Sequence, residues 1–242
     1  MTNVNRIALV TGASRGLGQV VARVLAARGY RLVIGGRDRA ALDEAAAHLS
    51  RDTSHVVPVA GDVTEPAVRA ALIEASLALG GLDVLVNNAS ELGGIGPLQS
   101  FEIPRFGRLF PVNVGAPMVL TQLALPLLVE RRGLVVNVTS DAATAAYPGW
   151  GPYGATKAAL ELLTRTLAAE LKDRGVAAVL VDPGDMRTRM HQEAFPGEDI
   201  SDRPLPEITI PFWNWLFDQK PDTITGARFA AQKEDARWLQ QV

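Results

Sequence analysis

Cysteine is absent from the 242 residues, which excludes disulfides, thiolate catalysis and cysteine-held zinc. Histidine is nearly as scarce: His48, His55 and His191 are scattered without ligand spacing, so no metal site is expected. Aromatic residues make up only 6% of the chain, and Ala, Val, Leu and Gly take their place, a composition suited to helices stacked closely on a sheet. Neither sign of charge is in excess, with 24 Lys and Arg against 26 Asp and Glu and a net charge of -2, so nothing resembles the basic stripe that nucleic-acid binding needs. No segment reads as the ~18 apolar residues of a membrane span. The opening MTNVNRIALVTGAS lacks the basic region, apolar stretch and cleavage site of a secretory leader. The expectation is a cytoplasmic, soluble protein whose partners include neither nucleic acid nor membrane.

What is present is an alternation. Short β-rich runs (RIALVTG, RLVIGGR, HVVPVAGDV, LDVLVNNAS, GLVVNVTS, VAAVLVDPG) are separated by Ala/Leu segments at helical spacing, including a long one from Pro104 to Arg131. Strands apolar on both faces, each followed by a helix, predict a parallel sheet covered on both sides. The fold class is therefore α/β, a Rossmann-type doubly wound parallel sheet with helices on both faces. With no internal linker, residues 1–242 read as one domain, carrying a Pro-, acid- and aromatic-rich segment at about 185–223. In such a sheet, ligands bind beyond the carboxyl ends of the strands, so the residues just after each strand carry the information.

After the first strand stands TGASRGLG, where Gly12, Gly16 and Gly18 permit a tight turn and close approach of backbone to a pyrophosphate at a helix start. After the second, about twenty residues past the glycines, the place of a ribose-binding acid holds Gly35, Gly36 and Arg37, with Asp38 just beyond. Arg37, with Arg15 in the first loop, would attract a 2′-phosphate and favours NADP(H). Asp38 taking the ribose hydroxyls instead would give NAD(H). Asp62 after the third strand would accept from an adenine amino group or cap a helix. Asn87 and Asn88 follow the fourth strand, Ser140 the fifth, and Pro183 and Gly184 the sixth. Tyr153 and Lys157 lie one helical turn apart, on one face. A phenol titrates near pH ~10, and an adjacent ammonium stabilises its phenolate.

These pieces, with Asn113 in FPVNV, resemble the short-chain dehydrogenase/reductase family in its main single-domain branch, in order and spacing, over roughly residues 5–190. The resemblance implies that Tyr153 is the general acid/base for hydride transfer to a carbonyl, that Lys157 holds the nicotinamide ribose, and that Ser140 polarises the substrate oxygen. Asn113 would anchor a water behind Lys157. It further implies a cofactor held by Gly12, Ser14, Arg15, Gly16, Leu17 and Gly18, by Arg37, by Asp62 and Val63, and by Asn88 and Ala89. Tyr153, Lys157, Pro183, Gly184, Met186 and Thr188 complete that set. The expected activity is NADP(H)-dependent interconversion of a ketone or aldehyde with its alcohol. The alternative, a dinucleotide sensor with little chemistry, would be expected to have lost one of Asn113, Ser140, Tyr153 and Lys157; all four are present.

Ser90 replaces the last glycine of the family's NNAG, a small change expected to be tolerated. Candidate substrate contacts are Asp141, Met190 and Trp213. Trp213, in PFWNWLF, fits core or dimer packing first and, as the sharper reading, an apolar wall over the substrate pocket. The resemblance implies a homodimer through helices at about 104–131 and 153–173, and the tail TITGARFAAQKEDARWLQQV lacks the glycine pair that accompanies the usual tetramer.

Overall fold

The computed structural model describes residues 6–233 and 238–240. The apolar runs form β1 (Ile7–Thr11), β2 (Arg31–Gly36), β3 (Val56–Ala60), β4 (Val84–Asn87), β5 (Leu134–Val138) and β6 (Ala177–Asp182). Two further strands, β7 (Arg228–Ala230) and β8 (Leu239–Gln240), extend the sheet. The spatial order is β3-β2-β1-β4-β5-β6-β7-β8, with every pair parallel except β7–β8.

Between the strands run α1 (Gly16–Ala27), α2 (Arg39–Leu49), α3 (Pro66–Leu79), α4 (Ile103–Phe110), α5 (Ala116–Arg131) and α6 (Gly151–Leu171). Three short helices follow β6: α7 (Arg189–Ala194), α8 (Ile210–Leu216) and α9 (Pro221–Ile224). Period-two alternation sorts the strand residues between two cores. Ala8 and Val10, Leu32 and Ile34, and Val136 and Val138 face a core that includes Val21 and Leu25 of α1 and Leu42 of α2. Ile7, Leu9, Val33 and Val135 face the other, with Leu72 of α3, Leu120 and Leu128 of α5 and Leu171 of α6.

Two expectations need correcting. The helical run Ile103–Arg131 is, by length and a mean hydropathy of 1.7, apolar enough to cross a membrane. Half of that apolar window is buried within the fold, and a wide turn at Pro111–Gly115 joins α4 to α5. The second correction concerns Trp213. It is fully buried, stacks on Phe217, and donates Nε1–H to Thr209 Oγ1 at 2.9 Å. Phe212 beside it meets Trp215, Phe229 and Trp238, so α8 packs on the core shared with α1 and does not wall the cleft. Only the first part of the 185–223 segment reaches the cleft. Part of the tail whose glycine pair is missing lies outside the described residues.

Candidate active site

The order β3-β2-β1-β4 reverses direction at β1, and a cavity of about 460 Å³ opens beyond the carboxyl ends of the strands there. Its floor is the loop from β1 to α1. A Cβ on Gly18 would stand 2.3 Å from the Gly12 carbonyl oxygen, so the first turn of α1 closes on the loop only because residue 18 has no side chain. Asn88 braces the same loop from β4, donating Nδ2–H to the carbonyls of Thr11 (2.9 Å) and Gly12 (3.1 Å). This cradle suits a pyrophosphate, since the glycines of the loop line the cleft at the start of α1, where the first-turn N–H groups have no partner within the helix.

Gly12, Ser14, Arg15, Gly16, Leu17, Gly18, Arg37, Asp62, Val63, Asn88, Ala89, Tyr153, Lys157, Pro183, Met186, Thr188 and Met190 all line the cavity. Gly184 does not: Gln232 lies across it, donating to the carbonyls of Pro183 and Asp185. Asn87 turns the other way, into the core, where it donates to Asn137 Oδ1 at 2.8 Å. Ser140 and Asp141 lie beside the cavity, in the turn after β5.

At the end where a 2′-phosphate would sit, the charges are already paired. Asp38 caps α2 through Ala41 N–H (3.1 Å) and accepts from Arg15 (3.0 Å). Arg37 reaches across the cleft to Glu91. Arg108 of α4 spans Glu91 (3.2 Å) and Asp62 (2.7 Å). Desolvation of Asp62 is outweighed by hydrogen bonds from Thr64 and the pairing with Arg108, which hold its carboxyl down at about 2. Glu91 and Arg108 carried no sequence signal, because the partners they bridge lie tens of residues away.

At the opposite end, α6 lies directly on the turn after Ser140. A Cβ on Gly154 would come within 2.5 Å of the Ala142 carbonyl, so this glycine sets how closely Tyr153 approaches Ser140. Lys157 is buried, donates to the Val138 carbonyl at 2.9 Å, and has Nζ 5.5 Å from the Tyr153 ring centre. Burial lowers its ammonium to about 8, with the charge of Asp182 opposing. Burial likewise pushes the Tyr153 phenol well up, with the nearby hydroxyls of Ser90 and Ser140 opposing. Trp150 meets Tyr153 edge to face at 6.0 Å and Phe195 at 6.2 Å, and with Leu92 and Met190 they form an apolar cluster around the phenol.

Asn113 sits in the wide turn between α4 and α5, fully engaged. Its Oδ1 accepts from Ser90 Oγ (3.0 Å) and Glu91 N (2.8 Å), and its Nδ2 donates to the Glu91 carbonyl (2.9 Å) and Thr156 Oγ1 (3.0 Å). Behind Ser140 lies a buried ionic cluster. Arg228 donates Nε–H to Glu161 (2.8 Å), and its Nη2 donates to Asp182 (3.2 Å) and the Ser140 carbonyl (3.1 Å). Among the described residues, no group of three or more His, Asp or Glu is placed to hold a metal.

A glycine cradle at the switch point, with a buried Tyr–Lys pair across the cleft, defines a nucleotide-dependent oxidoreductase of the parallel α/β class. Residues 6–199 match the model of the short chain dehydrogenase family. The uncharacterized oxidoreductase YciK of Escherichia coli K12 is 31% identical over 94% of this chain and 92% of its own. A short chain dehydrogenase structure from Shigella flexneri 2a, complexed with NADP, superposes with a TM-score of 0.88 at 30% identity, over 96% of this chain and 100% of that one. A 3-ketoacyl-(acyl-carrier-protein) reductase from Brucella melitensis, complexed with NADH, gives 0.84 at 28% identity over 93% and 96%. The chain belongs to the short-chain dehydrogenase/reductase family.

Proposed function

We propose that the protein reduces a ketone or aldehyde to the alcohol, or runs the reverse, with NADP(H) and with Tyr153 as general acid/base. The observation that carries this reading is the meeting of Tyr153 and Lys157 at one end of a cleft, with Ser140 in the turn beside them and a glycine cradle at the other end. A bound nicotinamide would supply or accept the hydride. The chain's own part is to orient the carbonyl and move one proton: Ser140 Oγ–H polarises the oxygen, and Tyr153 protonates it or takes its proton. Lys157 and the phenol, both buried, are kept from exchanging freely with water.

NADP(H) is favoured over NAD(H) because Asp38 is committed to the α2 cap and to Arg15, whereas Arg37 keeps its side chain 62% exposed at the mouth. The NADP held by the Shigella relative supports this, and the NADH of the Brucella relative marks the other option. The small-molecule substrate would enter over Met190, Trp150 and Phe195. The exposed Ile103, Val119, Leu123 and Leu162, on α4, α5 and α6, support a homodimer through those helices, and a cytoplasmic enzyme is the matching setting.

The test is NADPH oxidation against a panel of ketones, aldehydes and quinones, with Tyr153→Phe beside the wild type. Turnover that disappears in the variant supports the reading. Full turnover by Tyr153→Phe refutes it, and tight NADPH binding without any turnover favours the sensor.

A further inference from the structure

Asp38, Asp62, Glu91 and Glu193 line the cleft and each meets an arginine, as does Asp182 behind Ser140. Asp141, the residue after Ser140, meets two hydroxyls instead. Ser140 Oγ–H donates to its Oδ1 (2.9 Å), and Tyr147 Oη–H donates to its Oδ2 (2.8 Å). The cations around this turn are engaged elsewhere: Arg228 by Glu161, Asp182 and the Ser140 carbonyl, and Lys157 by the Val138 carbonyl. The turn itself packs on α6 at Gly154, and Ala142 shares the apolar cluster of Tyr153. Asp141 is thus an exposed carboxylate at the reacting end of the cleft, with acceptor capacity to spare on both oxygens.

This pairing constrains the serine. A hydroxyl has one proton, and that of Ser140 goes to Asp141 while its oxygen accepts from Ala142 N–H (3.2 Å). To polarise a carbonyl, Ser140 must turn away from Asp141, which leaves Oδ1 short of a donor. A plain ketone has nothing to put there. A ketone with a hydroxyl on the neighbouring carbon does. A carbonyl oxygen bonded to Ser140 Oγ lies within ~5–6 Å of Asp141 Oδ1, two hydrogen-bond lengths, and a hydroxyl one carbon away bridges that gap.

We propose that Asp141 determines the specificity of this site and that the substrate class is the α-hydroxyketone. The substrate hydroxyl takes over Asp141 Oδ1, and Ser140 is released to the carbonyl. This rests on the reading of Ser140 and Tyr153 given above. The hydride and proton are those of the reduction proposed there, the product is a vicinal diol, and Asp141 exchanges one donor for another without changing its charge. Tyr147 steadies the carboxylate through Oδ2 during the exchange. A hydroxyl is the better fit than an ammonium, because it replaces the serine like for like and no cation has to be stripped of water.

Trp150 and Phe195 beside Tyr153 make aryl ketones the natural probes. α-Hydroxyacetophenone carries the donor, α-methoxyacetophenone carries the same oxygen without its proton, and propiophenone matches the size with neither. At the strength of a hydrogen bond to a charged group, wild-type kcat/KM with NADPH should be about ten- to a hundredfold higher for the hydroxyketone than for either control. In Asp141→Ala the hydroxyketone should fall to the level of the methoxyketone, while the two controls hold or rise because Ser140 is free. Asp141→Asn keeps a neutral acceptor and should retain part of the preference. Dissociation constants of the three ketones from Tyr153→Phe saturated with NADPH, where they stay unreduced, should follow the same order without any turnover. Equal wild-type rates and equal affinities for the hydroxy- and methoxyketone overturn the inference, as does a preference that survives Asp141→Ala or a failure of all three ketones to bind. Full activity of Tyr153→Phe would instead sink the reading beneath it.

Discussion

Lys157 offers a test in which stability and activity move in opposite directions. Burial lowers its ammonium from the ordinary 10.5 to about 8, so below that pH the folded chain holds a charge that the unfolded chain would solvate more favourably. The difference of roughly 2.5 units corresponds to about 3 kcal/mol of stability forgone at neutral pH. Between about pH 8 and 10.5 the unfolded state binds more protons at this site than the folded state, so the contribution to stability rises with pH. Lys157→Met removes the charge and keeps most of the volume, losing the bond to the Val138 carbonyl. That bond returns about 1 kcal/mol, so the variant should be more stable than wild type by about 2 kcal/mol at pH ~7. It should lose nearly all turnover.

Urea unfolding of both proteins without cofactor, at pH ~7 and ~9.5, checks this. The variant's advantage should shrink by about 2 kcal/mol between the two, as the wild-type amine neutralises. Tyr30 and Tyr153, both raised above the ordinary phenol, titrate in both proteins and cancel from the difference. A variant no more stable than wild type at neutral pH, or an advantage constant with pH, would show that Lys157 is not a strained cation in the folded chain.

Two further outcomes follow from the charged clusters. Arg228→Met leaves Glu161 and Asp182 buried without their shared partner, and should cost ~3–5 kcal/mol in denaturant unfolding; a loss under about 1 kcal/mol would mean the cluster relaxes into water. Glu91→Gln frees Arg37 for a 2′-phosphate, and at the ~0.2–1 kcal/mol of an exposed pair should tighten NADPH binding by about threefold with NADH unaffected, measured as paired dissociation constants. Equal effects on both cofactors would exclude a role for the Arg37–Glu91 pair at the phosphate.

The sheet was legible because β1, β4, β5 and β6 are buried on both faces and therefore read as unbroken apolar runs. The cleft was legible for a related reason: in a parallel sheet the residues after each strand converge, so position in the chain substitutes for position in space. β7 escaped notice because three residues, beginning with the buried Arg228, carry no apolar run or alternation. Trp213 stood as a candidate contact beside its first reading as packing because aromatics at helical spacing satisfy either; the course of the chain over α1 decides for the core. The apolar character of Ile103–Arg131 was underestimated because its polar residues interrupt any continuous run.

The four tryptophans are distributed in a way that gives the chain two built-in optical reporters. Trp213, Trp215 and Trp238 are gathered around Phe212, in the tightly packed core beside α1, and their emission reports whether that core is intact. Trp150 stands apart, against Tyr153 at the mouth of the cleft, and its emission reports what occupies it. Replacing Trp150 by Phe would leave a spectrum that follows folding alone, and subtracting it from the wild type would isolate a signal for occupancy, so binding and unfolding can be followed in one cuvette without an added label.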